Sequence, residues 1–264
     1  MAIPSIPALS VSPQEHLDIV CINLNLPLSF MGMAEECPCG RGVNDREGRH
    51  LQQSCLRQGN RRNVIHSTWM DVWIEILRRA GFLCTRESGN ILRITNTLTQ
   101  EKTDITIHNW PNVIAHEFDV SIVDPRTHTN AAPVPGGAAE AMEKRKNDHY
   151  KTAVQNAGGI FTPLVAENFG RFGKQAREFF NKVVRAISLQ TKQSLSSVAS
   201  HWRQRLVVAL KRANIQQMRI AASNQHRVRN EQEEEQEQEE IILENDYVDI
   251  LELHRDPGDF DCSE

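Results

Sequence analysis

Cys37, Cys39, His50 and Cys55 lie within one nineteen-residue stretch, CPCGRGVNDREGRHLQQSC. Three thiols and an imidazole are the soft, deprotonatable donors that a tetrahedral zinc ion takes. Between the pairs stand Gly40, Gly42, Asn44, Asp45 and Gly48, residue types that tolerate tight turns and positive φ. The Cys37-Pro38-Cys39 pair is tighter than the usual CxxC, and the His50-x4-Cys55 pair suits the start of a short helix. The alternative is that some of these cysteines are ordinary buried thiols.

A second set of residues offers oxygens and a cation. Asp104 opens one expected strand and Asp119 lies in the next, fifteen residues on. Two carboxylates at neighbouring strand positions can converge on Mg²⁺ or Mn²⁺, which take oxygen ligands and leave room for water and phosphate oxygens. Such a metal polarises a phosphodiester and supplies a hydroxide-like nucleophile. A lysine beside it steadies the charge of the reacting phosphate. Lys146, with Lys144 in reserve, is placed for this if the following helix packs over the strand pair, and Glu87 is a further accessory acid. Each acid taken alone reads more readily as an exposed strand-end residue. Asp119 differs, because FDVSIV surrounds it with apolar neighbours and a buried carboxylate needs a partner.

These residues need elements to hold them. Ile65, Trp69, Val72, Trp73, Ile76, Leu77 and Ala80 recur at helical spacing, and Gly81 ends the stripe. Both tryptophans read as core. The period then changes: Asn90–Thr95, Asp104–His108 and Val113–Val123 alternate or run β-branched, separated by turn-like NTLTQEK and NWPN. A helix-forming stretch, GAAEAMEKRKNDHYKTAVQNAGG, leads to another short strand in GIFTPLVAE. Two helices follow, around Lys174–Ser188 and Ser196–Ala222. The order predicts an α/β sandwich with a mixed sheet and at least one parallel crossover. It divides the chain into an N-terminal extension at 1–34, with no domain of its own, a zinc-knuckle-like loop at 35–62, the main domain at 63–222 and an acidic tail at 223–264.

The 264 residues carry a net charge of −4, which hides an asymmetry. Residues 230–264 hold 15 acids and one base, whereas 1–229 hold 29 bases and 19 acids. Within 171–229 there are 13 Lys and Arg against the single acid Glu178. A basic body points to a polyanion such as DNA, or RNA, because phosphate neutralisation drives such binding. A solvated helix face is the plain alternative. The EQEEEQEQEE run reads as a disordered, self-repelling tail. No apolar run is long enough to span a membrane, and the start MAIPSIPALSVSPQEH lacks the features of a signal peptide. Six cysteines, four of them outside any symmetric disulfide-like spacing, fit a reduced compartment. The chain is expected to be soluble and intracellular, nuclear or cytoplasmic.

From about Leu26 to Leu189 the chain resembles the C-terminal region of non-LTR retrotransposon reverse-transcriptase polyproteins of the restriction-like endonuclease type. The resemblance rests on LPLSF, CPCG, the Asp45, Gly48, His50, Cys55 element, the helix with Ile65-His66 and Arg79-Ala80-Gly81, EFDVSIVDP, AAEAMEKRKNDHY and FTPLVAENFG, in that order. It implies a cysteine–histidine knuckle ahead of a PD-(D/E)XK-type nuclease domain that nicks DNA to prime reverse transcription. Carried onto this sequence, the pattern puts the metal-binding acids at Asp104 and Asp119 and the lysine at Lys146, shifted from the strand to the next helix. Ser121 occupies the strand position where that lysine usually stands. His66 matches the histidine before the first helix, and Glu167 a structural or supporting glutamate. Thr103 replaces the proline before the first aspartate, and His149 the lysine before Tyr150. No reverse-transcriptase site is visible, since Asp249 in Tyr247-Val248-Asp249-Ile250 has no second aspartate after it.

Three functional readings follow as expectations. The first is a Mg²⁺- or Mn²⁺-dependent DNA endonuclease, a phosphodiester hydrolase, gripped to its target by the zinc loop and the basic helices of 171–229. The second is a catalytically decayed, retroelement-derived nucleic-acid-binding protein. A protein-interaction module working through the acidic tail is a third, less favoured reading.

Overall fold

The computed structural model describes residues 9–31, 35–37, 39–40, 42–53, 61–86, 102–126 and 135–253. The expected strand Asn90–Thr95, Glu87, Cys55 and the last eleven residues of the acidic tail lie outside them. The elements are α1 (Pro13–Leu24), β1 (Glu35–Glu36), β2 (Val43–Asn44), α2 (Arg49–Gln53), α3 (Arg61–Arg79), β3 (Cys84–Arg86), β4 (Ile105–Ile107), β5 (His116–Val123), α4 (Gly137–Asn156), β6 (Ile160–Glu167), α5 (Lys174–Thr191) and α6 (Leu195–Leu253). This is a mixed α/β fold with a four-stranded sheet flanked by helices, in the order β3-β4-β5-β6. β3 to β5 run antiparallel, and β5 and β6 are parallel across the α4 crossover. Pro163, which has no N–H to donate, sits in β6 at an edge of the described sheet.

β5 is covered on both faces, and its period of two sorts the side chains. Phe118 and Val120 turn to the main core, with α3, α5 and part of α6. Val123 turns the other way, onto Ala138 and Ala139 of α4. The core centres on Trp69 and Trp73, both fully buried, whose rings meet Phe172, and Trp73 also meets Phe179 and Phe180. The two tryptophans are core residues, as their helical spacing suggests.

Residues 9–31 of the N-terminal extension, read as having no domain of their own, hold a capped helix. Ser12 caps α1 and exchanges hydrogen bonds with Glu15 as a capping box, Pro13 takes the first turn, and Asn25 ends the helix at φ 56°. The cap contributes about 1 kcal/mol. Ile19, Ile22 and Leu28 then close over Ile215 and Met218 of α6. Glu15 pairs with Arg212 at 3.4 Å, and the fully buried Asp18 pairs with Arg219.

The chain divides into two compact units, Met1–Arg219 and Ile220–Glu264. Residues 223–253, read from composition as disordered, are helical as the continuation of α6. Glu, Gln, Leu and Ile in this stretch form helix well enough to oppose the self-repulsion of the acids. No helix among the described residues is long and apolar enough to cross a membrane.

Candidate active site and metal-binding loop

Register alone places the two aspartates side by side. Ile105 pairs with Phe118, so Asp104, one residue earlier, comes opposite Asp119, and the Asp104 N–H donates to Phe118 O at 2.9 Å. Asp119 shares the strand face that looks onto α4. There Lys146 Nζ donates to Asp119 Oδ1 at 3.0 Å and lies 2.9 Å from Oδ2, while the Ser121 hydroxyl donates to Oδ2 at 3.1 Å. Ser121, at the strand position opposite the site's helix-borne lysine, therefore holds the same carboxylate that Lys146 neutralises.

Asp104 is oriented by two donors on one oxygen. The Val120 N–H reaches Oδ2 at 2.6 Å and His66 Nε2 reaches it at 3.1 Å. His66 Nε2 also lies 3.0 Å from the Val120 carbonyl, so this nitrogen carries the proton that both acceptors share. His66 sits within the first two turns of α3, rather than ahead of the first helix. Oδ1 of Asp104 has no hydrogen-bond partner among the described residues and remains open for a ligand.

The electrostatics follow from this crowding. Burial, and then the charge of Asp104, raise the Asp119 carboxyl above the ordinary range, while Lys146 and Ser121 pull it back. The hydrogen bond to Asp104 raises His66 above the usual imidazole range against the opposing effect of burial. Two crowded carboxylates with hard oxygen donors suit a divalent cation such as Mg²⁺ or Mn²⁺, whose charge would relieve their repulsion.

Beneath the pair lies a third acid that sequence reasoning missed. Glu117 is 1% exposed, and its Oε2 accepts hydrogen bonds from the hydroxyls of Thr103 and of Thr106, the latter at 2.6 Å. Its Oε1 is buried with no partner among the described residues, and burial raises its carboxyl above the ordinary range. The two threonines flank Asp104 in sequence, so Glu117 ties down the stretch of chain that presents it. Period two was the available signal: Glu117 and Asp119 occupy one strand face.

α4 is itself pinned. Glu143, one turn before Lys146, accepts the backbone N–H groups of Gln175 at 3.1 Å and Ala176 at 3.0 Å, at the start of α5. A Cβ on Gly173 would collide with the Glu143 carboxylate, so a side chain there would force that carboxylate to shift.

Other expected site residues stand apart. Lys144 is exposed, two residues from Lys146 and so on the opposite side of α4. Glu167 is 6% exposed at the end of β6, where it pairs with Val123. That is four residues, about 13 Å, along from the partner of Asp119. Glu87 lies outside the described residues.

The thiol loop forms a separate cluster. Ligand atoms of Cys37, Cys39 and His50 all lie within 4.8 Å of one another, and Cys39 Sγ is 3.2 Å from His50 Nε2. A zinc tetrahedron with arms of about 2.3 Å has edges of about 3.8 Å, so the three donors fit zinc with small adjustments. Cys55, the expected fourth ligand, lies outside the described residues. Asp45 holds the chain at His50 by accepting its N–H at 2.8 Å and that of Arg49 at 2.7 Å. A side chain at Gly42 would press on the His50 ring, 2.9 Å from Nδ1. The loop is moored to α1, since the Leu28 N–H donates to Arg46 O at 2.8 Å and Arg49 Nε to Asn25 Oδ1 at 2.7 Å.

No family model and no curated protein matches the chain.

Proposed function

We propose that this chain is a Mg²⁺- or Mn²⁺-dependent DNA endonuclease domain of the PD-(D/E)XK kind, derived from a non-LTR retrotransposon, with a zinc-binding loop ahead of it. The observation that carries the reading is the meeting of Asp104, just ahead of β4, with Asp119 of β5 and Lys146 of α4. The mixed sheet, with its parallel β5–α4–β6 unit, supports the same reading.

In this reading Asp104 Oδ1 and the Asp119 carboxylate would hold the divalent cation, which would supply Lewis-acid polarisation of the scissile phosphate and acidify water. The chain's own residues do the rest. His66 and the Val120 N–H fix the Asp104 carboxylate so that its open oxygen faces the site. Lys146 balances the charge of Asp119 and would stabilise the negative charge that builds on the oxygens of a phosphate placed there. Ser121 orients Asp119. At the loop, Cys37, Cys39 and His50, with Cys55, hold zinc as a structural ion that shapes the segment moored to α1.

Plasmid nicking by the purified protein with Mg²⁺ or Mn²⁺, beside Asp119→Ala, tests the proposal. Metal-dependent nicking that disappears in the variant is the expected result. Intact DNA binding without nicking under any metal would replace it with the non-catalytic, nucleic-acid-binding reading.

A further inference from the structure

The basic excess of residues 171–229 is not one surface. On α6 it is largely used up within the chain. Arg205 pairs with Glu75, Arg212 with Glu15 and Arg219 with Asp18. Lys211 is 4% exposed, donates to Asn23 Oδ1 at 2.6 Å, and is pushed down to about 8 by burial. These cations hold α1 and α3 to α6.

α5 is different. Its apolar residues Ala176, Phe179, Phe180, Val183, Val184 and Ile187 are buried, and they occupy one side of the helix. Lys174, Arg177, Lys182 and Arg185 are all exposed. At 100° per residue they fall within an arc of about 140° on the opposite side. None of the four makes a side-chain hydrogen bond or ion pair among the described residues, and the one acid on that face is Glu178. A polar helix face needs some charge for solubility, but four bases with one acid and no internal pairing leave a net field directed outward.

We infer that this face of α5 is a docking surface for the phosphate backbone of duplex DNA, and that Arg205, Lys211, Arg212 and Arg219 of α6 are structural. Lys174 and Arg185 are eleven residues apart, about 16 Å along the helix, which matches about five phosphates of one strand at 3.4 Å each along the duplex axis. The stripe begins beside the site, because the first turn of α5 is the one that Glu143 of α4 binds, one turn from Lys146. The inference rests on the nuclease reading only for the choice of DNA as the polyanion.

The test is fluorescence anisotropy with a labelled duplex in buffer without added divalent cation, where no nicking is needed for a signal. Lys174→Gln, Arg177→Gln, Lys182→Gln and Arg185→Gln in one chain should weaken binding by at least about tenfold near 0.1 M salt. It should also lower the slope of log affinity against log salt by about three to four units. A control with four exposed cations changed elsewhere, Arg78, Arg79, Lys151 and Arg203 to Gln, should lose less than about threefold. The double variant Arg177→Glu and Arg185→Glu repeats the test if the first folds poorly. An unchanged affinity in the α5 variants, an equal loss in the control, or stronger binding to RNA than to duplex DNA would overturn the inference. Nicking is scored separately: binding through α5 without nicking removes the nuclease reading and leaves the surface. Nicking with α5-independent binding does the reverse.

Discussion

Lys146→Met is the most informative single change at the site, because it removes a charge without adding bulk. Lys146 Nζ lies 2.9–3.0 Å from both oxygens of Asp119, whose side chain is 6% exposed. Stripping one partner from a buried pair typically costs about 3–5 kcal/mol. Asp119 already has a raised pKa and can take up a proton, so we expect a loss nearer 2–3 kcal/mol at neutral pH. Asp119→Asn leaves no carboxylate to strand, so adding it to Lys146→Met should restore part of the loss, with a coupling of at least about 1 kcal/mol. Urea unfolding of the four chains at pH 7 measures this cycle. Metal binding then separates a site from a mere ion pair. With an effective dielectric of about 20, a lysine charge about 5 Å from a metal site opposes each unit of cation charge by roughly 3 kcal/mol. Lys146→Met should therefore bind Mn²⁺ at least about tenfold more tightly in paramagnetic resonance titration, while its nicking rate falls. Additive single effects on stability, or Mn²⁺ affinity that falls with stability, would refute the reasoning.

Three further outcomes follow. His116 is 3% exposed among Trp110, Phe118 and Phe179, and burial pushes its pKa down to about 3. The unfolded chain, with an imidazole near 6.5, binds the proton first, so stability is complete above about pH 6.5 and falls by about 1.4 kcal/mol per unit below it, about 2 kcal/mol by pH 5. His116→Phe should flatten that slope in denaturation curves, and an unchanged slope would assign it elsewhere. Metal analysis of protein purified without chelator should find about one zinc per chain, lost in Cys39→Ser; a zinc-free native protein would end the case for the loop. Thr103→Val breaks the bond to Glu117, so it should weaken Mn²⁺ binding and lower kcat with little change in KM for DNA, and Thr103→Ser should restore both. Equal behaviour of Val and Ser would show that Glu117 does not act through this hydroxyl.

Much of the sheet was legible because its signals are local. The alternation and apolar content of 113–123 marked β5, and the glycines at 158 and 159 marked the end of α4. Asp119 stood out as the one acid inside an apolar run. What was not legible depends on distance. Ser12, Pro13 and Glu15 spell a capping box, but the reason α1 persists is its contact with Ile215 and Met218, some two hundred residues on. β3 is three residues long, too short for periodicity, and exists through its pairing with β4. The basic tally of 171–229 was correct as a count and misleading as a surface, because the acids that neutralise α6 come from α1 and α3.

The helix-borne lysine poses the sharpest positional problem. A lysine on a strand is placed by the register of the sheet, whereas one on a helix moves with every rotation of that helix about its axis. α4 answers this with two pins on one face, three residues apart. Lys146 reaches Asp119, and Glu143 takes the N–H groups of Gln175 and Ala176. A rotation of α4 large enough to withdraw the lysine would also pull the Glu143 carboxylate from the α5 terminus and leave those donors unpaired, a cost of about 1–3 kcal/mol each. Gly173 lets the carboxylate approach that closely, and a side chain there would displace the Glu143 carboxylate from those N–H groups. One of the two pins on α4 therefore depends on a glycine twenty-seven residues after Lys146.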